Sequence, residues 1–202
     1  MVSIKTLHIQ KYLMLEKYFK SYSEKFAIPF IKFLRLLKLK PNTVSIIGLV
    51  VIIIGSYYIY TNKRTIGIIL IFIGSAIDGL DGPYARTYNL TSDKGAILDS
   101  LLDRVGEMII WSVILLNYTI SDFQVLAVVS VVVSSNLIPY MRAKSELHGL
   151  ENKKGLASRP ERVIFAVLFM YFDLNFTYFY VFTFITWLTA LQRFIFLYKN
   201  LK

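Results

Sequence analysis

The chain has 202 residues, of which 55% are hydrophobic, and its formal net charge at pH 7 is +10. The apolar residues come in long blocks, which indicates a membrane protein, and such proteins carry an excess of Lys and Arg in their cytoplasmic loops. Cytoplasmic loops therefore explain the positive charge, and we expect no nucleic-acid partner. The lack of cysteine excludes disulfides and thiolate metal sites.

Residues 1–40 predict an amphipathic helix that lies along the membrane interface. Lysines fill one face, and apolar or aromatic side chains recur at helical spacing on the other, namely Leu15, Tyr18, Phe19, Tyr22 and Phe26. Such a helix suits anionic lipid headgroups, although docking against the protein itself is an equal alternative. We assign 1–40 as a juxtamembrane helix and 41–202 as one domain.

The remaining sequence predicts an all-α integral membrane protein with six transmembrane helices. A span needs about 20 mostly apolar residues. The predicted spans are 43–60, 65–86, 94–117, 122–142, 160–173 and 176–198. The second and third spans each carry acidic residues at one end. Because ionisable groups close to the hydrocarbon are costly, such residues usually have a function.

The distribution of basic residues predicts the orientation. The segments 1–42, 86–94, 142–162 and 199–202 would share one side of the membrane, and they hold nearly all the Lys and Arg. The opposite side carries Lys63 and Arg64 in its first loop. The positive-inside rule therefore places both termini and the acidic segment on the cytoplasmic side of the cell membrane.

Four aspartates lie at the predicted cytoplasmic ends of spans two and three. The spacing of Asp78 with Asp81, and of Asp99 with Asp103, puts each pair on one helix face. In an antiparallel hairpin the two pairs can face each other, and their repulsion then requires cations. Mg²⁺ or Mn²⁺ prefers such oxygen ligands, and two ions would suit a pyrophosphate undergoing displacement at phosphorus.

The neighbours of these acids fit a substrate that contains phosphate. Gly82 allows a substrate to approach the backbone closely, Gly95 opens space at the start of the facing helix, and Arg86 can neutralise phosphate oxygens. The alternative interpretation is that the acids form salt bridges at helix ends with Arg86, Lys94 and Arg104.

The acidic segment resembles the signature of the CDP-alcohol phosphatidyltransferase family. It reads Asp78-x2-Asp81-Gly82-x2-Ala85-Arg86-x8-Gly95-x3-Asp99-x3-Asp103, and every fixed position matches. The six-span topology with cytoplasmic termini is also similar to the family. The resemblance implies a CDP-activated lipid as donor, transfer of its phosphatidyl group to an alcohol, release of CMP, and a homodimer packed through the spans.

The resemblance also implies roles for individual residues. The four aspartates would bind two metal ions, and Asp103 would be the general base for the acceptor hydroxyl. Gly82 and Arg86 match positions that hold the nucleotide and its phosphates. The family's Pro-Asn-x-x-Thr pattern, which contributes to the cytidine pocket, corresponds here to Pro41 followed by Asn42, Thr43, Val44 and Ser45.

Three further side chains each have two interpretations. Ser92 falls where the family has a small hydroxyl residue that touches the nucleotide, or it caps the third span, a role for which Thr91 and Asp93 compete. Asp93 is otherwise a solvated acid. Glu107, one turn past Asp103, supports the ligands or pairs with a basic neighbour.

The segment 139–162 predicts the acceptor site, because it can reach the aspartates from the cytoplasmic side. A phosphorylated acceptor needs cationic donors, although a loop that binds anionic headgroups is an alternative. The sequence Arg-Ala-Lys-x-Glu-x-x-Gly followed by Arg-Pro-Glu-Arg is similar to the inositol-phosphate branch of the family. That resemblance implies myo-inositol 1-phosphate as acceptor and, as its phosphate ligands, Arg142, Lys144, Arg159 and Arg162.

The predicted function is thus synthesis of a phosphatidylinositol phosphate from a CDP-lipid, with other functions as alternatives. The Ile- and Lys-rich composition would suit a thermophile. Should the source be an archaeon, the donor would be CDP-archaeol; otherwise it would be CDP-diacylglycerol. The same transfer to glycerol 3-phosphate or serine is one alternative. An ion-coupled transporter, whose carboxylates are expected near the bilayer midplane, and a membrane scaffold are alternatives of other classes.

Overall fold

The structure, a computed structural model, describes residues 27–152 and 155–201. Every element in these two ranges is an α-helix. The helices are α1 over 27–36, α2 Pro41–Tyr60, α3 Arg64–Asp78, α4 Asp81–Thr87, α5 Asp93–Tyr118, α6 Asp122–Leu147, α7 Arg159–Phe172 and α8 Phe176–Asn200. The prediction of an all-helical fold is therefore confirmed.

Four stretches of the described chain are long and apolar enough to cross a membrane. They are Pro41–Tyr60, Arg64–Thr87, Asp122–Leu147 and Phe176–Asn200. Helix α5 is long but carries several charged side chains, and α7 has only 14 residues. The multi-pass architecture is clear from the four stretches, whereas the predicted count of six spans stays a prediction.

The N-terminal helix is described only from residue 27 onward. The five residues on which the amphipathic prediction rested lie outside the described residues. Within α1, the buried side chains of Ala27 and Ile31 pack against Tyr84 of α4 and Val44 of α2, while Phe30 and Phe33 are exposed. This part of the helix therefore docks on the protein with one face and presents aromatic side chains on the other.

The second predicted span is divided into two helices. Gly79 and Leu80 separate α3 from α4, and the Leu80 N–H donates to the Ile77 carbonyl at 3.0 Å, which is a tighter turn than an α-helix makes. As a result, Asp78 ends one helix and Asp81 begins the next. The prediction of a single helix face for this pair was wrong in detail.

Helix α6 continues beyond the predicted end of span four at residue 142 and ends at Leu147. Arg142 and Lys144 therefore lie on its last turns and not in a loop. The Arg142 Nε lies 2.8 Å from Glu146 Oε1 on the next turn, an arrangement that favours continued helix.

Tight packing of α2 against α3 and α5 holds these three helices together. Helices α3 and α7 also contact each other, as do α6 and α8. At the far end of α3, Arg64 Nε donates to the Met170 carbonyl at 2.9 Å and its guanidinium pairs with Asp173 at 3.1 Å. An aromatic cluster fills the space between α5, α7 and α8, and in it the stacked rings of Phe165 and Phe182 have their centroids 3.8 Å apart.

Candidate active site

Carboxylate groups from two helices meet where α3 ends and α5 makes its first turns. Asp78, Asp99 and Asp103 each present an oxygen, and these oxygens all lie within 4.8 Å of one another. Asp78 is almost fully buried at 3% exposure. The spacing of one helical turn between Asp99 and Asp103 directs both toward α3, as the sequence predicts.

Asp81 completes the group of four from the first turn of α4. Its carboxyl group is buried, interacts with that of Asp99, and accepts a hydrogen bond from the Ser45 hydroxyl of α2. The first turn of a helix is a favourable place for a carboxylate, because the helix dipole presents partial positive charge there. Ser45 therefore orients Asp81 in addition to lining the adjacent cavity.

Arg159, the first residue of α7, reaches into the aspartate cluster. Its Nη2 pairs with Asp78 Oδ2, and its Nη1 lies 2.7 Å from Asp103 Oδ1. The guanidinium supplies the positive charge that closely placed carboxylates require. The alternative interpretation of the sequence paired these aspartates with Arg86, Lys94 and Arg104. The basic residue that pairs with Asp78 and Asp103 is instead Arg159.

The donor set at this cluster fits a hard divalent cation. The ligand atoms are carboxylate oxygens from Asp78, Asp99 and Asp103, with Asp81 alongside, and such ions prefer oxygen ligands from several carboxylates. Burial favours binding further, because an unneutralised group of buried carboxylates is unfavourable. The cluster is therefore a candidate metal centre.

A cavity of about 190 Å³ opens on the Asp81 and Asp99 side of the cluster. Its lining includes most residues predicted to bind the nucleotide, namely Asn42, Ser45, Gly82, Arg86 and Ser92. A Cβ atom at Gly95 would lie 3.0 Å from Asn42 Oδ1, so this glycine allows α5 to start close to α2. Basic and polar groups from α2, α4 and the start of α5 therefore line one cavity beside the carboxylates.

Two residues of the predicted nucleotide set do not line this cavity in the described part of the chain. Val44 is fully buried and packs in the cluster around Tyr84, so its side chain does not line this cavity. Thr43 is half-buried on the adjacent side of the same helical turn. Successive helical residues point in different directions, so a run of four cannot face one cavity.

The structure assigns the cap at the start of α5 to Ser92 and not to Thr91 or Asp93. Ser92 is the N-cap of α5, and its hydroxyl accepts a hydrogen bond from the Gly95 N–H at 3.1 Å. It also lines the cavity of about 190 Å³ described above. Asp93 is an exposed residue of the first turn, as expected for a solvated acid.

A second cavity, of about 150 Å³, opens on the Asp103 side of the cluster. Five arginines contribute to its lining, namely Arg104, Arg142, Arg159, Arg162 and Arg193. Three of them belong to the predicted acceptor site. Among the residues that the structure describes, Lys144 is not part of this lining; it is exposed, and its ammonium lies 5.8 Å from the centre of the Tyr140 ring.

Arg193 is a residue of this cavity that the sequence analysis missed. It is 5% exposed on α8, and its Nη1 donates to the Ile138 carbonyl of α6 at 3.0 Å. A guanidinium inside an apolar span is a functional signal, because a charged group there requires a partner or a ligand. The position of Arg193 within span six was that signal.

Arg162 lines the cavity but is held by a buried ion pair. Its Nε and Nη2 donate to the two carboxylate oxygens of Glu107 at 2.6 and 2.7 Å, and Nη1 donates to the Ala157 carbonyl at 2.8 Å. Trp111 Nε1 donates to Glu107 as well, at 3.2 Å. Glu107 therefore pairs with a basic residue, one of its two predicted roles, and the pair fastens α7 to α5.

The loop before α7 is fastened to α8. The N–H groups of Leu156 and Ala157 both donate to the Thr189 hydroxyl at 3.2 Å. Asn152 is buried, and its Nδ2 donates to the Arg193 carbonyl at 3.0 Å. These bonds fix the start of α7, and with it Arg159, relative to the aspartates.

Comparison with known proteins identifies related sequences. Residues 38–195 match the family model described as CDP-alcohol phosphatidyltransferase. The chain is 29% identical over 164 residues to archaetidylinositol phosphate synthase of Pyrococcus horikoshii, covering 80% of this chain and 85% of that protein. It is 33% identical over 160 residues to phosphatidylinositol phosphate synthase of Streptomyces avermitilis, covering 77% and 66%.

Solved structures share the fold. Phosphatidylinositol phosphate synthase of Mycobacterium tuberculosis with CDP-DAG bound superposes with a TM-score of 0.74 at 24% identity, covering 86% of this chain and 94% of that one. The same protein in complex with manganese and citrate gives a TM-score of 0.72, with coverage of 85% and 88% at 24% identity. The helical arrangement described above is thus that of a known membrane-protein fold.

The buried pair of Glu107 with Arg162 leads to a stability prediction. Glu107→Gln should lower the free energy of unfolding by about 3–5 kcal/mol, because it leaves the Arg162 charge buried without a counter-charge. The change is measured by thermal unfolding of the purified protein in detergent. Glu146→Gln is the matched control, since it removes the same charge from an exposed pair with Arg142 and should change stability little. Equal effects of the two substitutions would contradict the prediction.

Proposed function

The chain belongs to the CDP-alcohol phosphatidyltransferase family, and from this premise we propose that it makes an inositol-containing phospholipid. It transfers the phosphatidyl or archaetidyl group of a CDP-lipid to myo-inositol 1-phosphate and releases CMP. One observation carries the proposal, namely that the aspartate cluster lies between a cavity suited to a nucleotide and an arginine-rich cavity. The names of the relatives from Pyrococcus horikoshii and Streptomyces avermitilis support an inositol phosphate as acceptor.

The reaction is a substitution at the phosphorus atom that carries the lipid. The oxygen of an inositol hydroxyl forms a bond to this phosphorus, and the bond from phosphorus to the bridging oxygen of the diphosphate breaks. CMP leaves with the electrons of that bond. The carboxylate of Asp103 accepts the hydroxyl proton, because Asp103 lines the cavity in which the acceptor binds.

The four aspartates would hold two divalent ions, Mg²⁺ or Mn²⁺, as the carboxylate cluster of Asp78, Asp99 and Asp103 and the neighbouring Asp81 suggest. Bound there, such ions neutralise the diphosphate and stabilise the negative charge that develops at the transferred phosphorus. Asp81 and Asp99 face the nucleotide cavity, whereas Asp103 faces the acceptor cavity. The group can therefore serve donor and acceptor from opposite sides.

The donor nucleotide binds in the cavity beside α2, α4 and α5. Asn42, Ser45 and Ser92 supply polar groups there, Gly82 permits close approach of the diphosphate, and Arg86 neutralises phosphate oxygens. The exposed side chain of Arg86 is free to approach a diphosphate from the cytoplasmic side. The lipid tails extend from this point into the bilayer.

The acceptor phosphate binds among the arginines of the second cavity. Arg142 and Arg159 are its principal ligands in this proposal, with Arg193 contributing from α8. Arg162 orients the wall of the cavity, because its guanidinium is nearly fully buried and bonded to Glu107 and Ala157, whereas Arg159 beside the aspartates is partly exposed. A guanidinium suits a phosphate better than an ammonium does, since it can donate two parallel hydrogen bonds.

The alternatives considered from the sequence differ in their support. Transfer to glycerol 3-phosphate or serine uses the same cavities and is separated from the proposal only by assay. The ion-coupled transporter is not supported, since the chain belongs to a family of transferases and its carboxylates gather at one end of the helices. Transport carboxylates are expected near the bilayer midplane.

The chain is a multi-pass membrane protein, and we propose that α5 and α7 complete six spans. Both termini and the active site then lie on the cytoplasmic side of the cell membrane, where water-soluble inositol phosphate is available. On the opposite side, the positive charge of Arg64 is paired with Asp173. Residues 1–40 as a juxtamembrane helix, and a homodimer packed through the spans, belong to the same proposal.

The choice of acceptor is tested by CMP release. Purified enzyme with CDP-diacylglycerol or CDP-archaeol and Mg²⁺ should release CMP with inositol 1-phosphate and far less with glycerol 3-phosphate or serine, as the names of the relatives support. Release of CMP with glycerol 3-phosphate and none with inositol 1-phosphate would assign a different acceptor.

The role of Asp103 is tested by Asp103→Asn. The substitution removes the proton acceptor, so turnover should fall by about 10²–10⁴-fold. Much of the Mn²⁺ binding, followed by electron paramagnetic resonance, should persist through the remaining aspartates. Asp93→Asn, an exposed acid of the same helix, is the control and should retain activity. If the Asp103→Asn variant releases CMP at the full rate, Asp103 is not the general base.

The acceptor cavity is tested by comparing two cations. Arg159→Gln should raise the KM for inositol 1-phosphate by about 10–100-fold, since a charge-assisted hydrogen bond contributes roughly 1.5–3 kcal/mol. Lys144→Gln should leave this KM nearly unchanged, because Lys144 points away from the cavity toward Tyr140. Initial rates of CMP release at varied acceptor give both values. A larger effect at Lys144 would place the phosphate outside the cavity.

A further inference from the structure

Gly48 of α2 lies directly against the backbone of Asp78. A Cβ atom at Gly48 would lie 2.8 Å from Asp78 Cβ and 2.9 Å from the Gly74 carbonyl oxygen. Ordinary carbon contacts are about 3.5–4.0 Å. Only a glycine therefore lets α3 bring Asp78 this close to α2.

The same helix face also holds a second aspartate. Ser45, one turn before Gly48, donates its hydroxyl hydrogen bond to Asp81. Both residues are buried, so this end of α2 contacts the two aspartates that end α3 and begin α4. One helix face thus positions half of the aspartate group.

The α2–α3 contact contains a second glycine pair that matches the first. A Cβ atom at Gly55 would lie 2.7 Å from the Gly67 carbonyl oxygen and 2.9 Å from the Ile71 backbone nitrogen. The crowding is therefore as severe as at Gly48, and it occurs on the same two helices. The contacted atoms at Gly55 belong to apolar chain remote from the aspartates.

We propose that Gly48 is a positioning residue, which sets the place of the Asp78 carboxylate and thereby the metal affinity of the site. The inference rests on the proposed function, in which Asp78 is a metal ligand. It extends that function to a residue outside the Asp-Gly-Ala-Arg signature, on a different helix.

The geometric tolerance of a metal site makes the position of Asp78 critical. Ligand distances vary by only about 0.2 Å in a well-formed site. A methyl group at Gly48 must displace α3 by roughly 0.7 Å or more to restore an ordinary contact with Asp78 Cβ. The atoms in contact are backbone and Cβ atoms, which cannot turn aside as the end of a long side chain can.

The test compares Gly48→Ala with Gly55→Ala in the full chain. Mn²⁺ alone is titrated into purified protein in detergent, free Mn²⁺ is followed by electron paramagnetic resonance, and thermal unfolding is recorded for the same samples. Gly48→Ala should raise the Mn²⁺ dissociation constant about tenfold or more, as expected when support for a metal ligand is lost. Gly55→Ala should lower the unfolding temperature similarly and leave Mn²⁺ binding close to that of the unmodified protein.

A second variant tests the same contact in case the Gly48→Ala protein does not fold. Gly74→Ala places its Cβ 2.7 Å from the Gly48 carbonyl oxygen, one turn before Asp78, and should weaken Mn²⁺ binding in the same way. Equal Mn²⁺ affinity in the Gly48 or Gly74 variant and the unmodified protein would overturn the inference. Equal weakening by Gly55→Ala would overturn it too, since general loss of packing would then be the cause.

The control Asp78→Asn separates this inference from the proposed function. Should the unmodified protein bind no Mn²⁺, or should Asp78→Asn bind it equally well, the proposed metal site itself is wrong. Should Asp78→Asn lose affinity while Gly48→Ala keeps it, the metal site stands and only the positioning role of Gly48 is lost.

Discussion

Mutual repulsion among buried and half-buried carboxylates is the constraint on which this structure depends. Asp78, Asp99 and Asp103 meet within a few ångströms, with Asp81 beside them, at the rim of a helix bundle whose surroundings are largely apolar. Such a group is stable only with positive charge close by. Arg159 provides that charge from α7. The carboxylates also form a set of oxygen ligands for a divalent ion, which would in turn neutralise a bound diphosphate.

The surrounding helices are arranged to hold this group in one geometry. Helix α2 approaches α3 at glycines and supports Asp81 through Ser45. Helix α7 is fastened to α5 by the pair of Arg162 with Glu107. A buried ion pair is weak evidence for stability by itself, but it defines one relative position of two helices. The precision that metal ligation requires therefore comes from packing outside the aspartates.

The two cavities give the proposed reaction its direction. One presents Arg86 and polar groups to a nucleotide, and the other presents several arginines to an anionic acceptor. Because the aspartates lie between them, a lipid-bound donor and a water-soluble acceptor can approach the same phosphorus from different sides. In the proposed topology, the position of the cluster at the end of the helices corresponds to the membrane surface.

The sequence by itself determined the membrane class, the helical fold and the four aspartates, because hydrophobic blocks, helical spacing and the signature are local patterns. For the same reason, most of the residues predicted to bind the nucleotide line one cavity, although Val44 lies on the buried side of its turn. Tertiary structure alone decided that Arg159 pairs with Asp78 and Asp103, that Arg162 belongs to Glu107, and that Arg193 joins the arginine-rich cavity. These relations join helices far apart in sequence, and the helix packing that creates them leaves no periodic pattern along the chain.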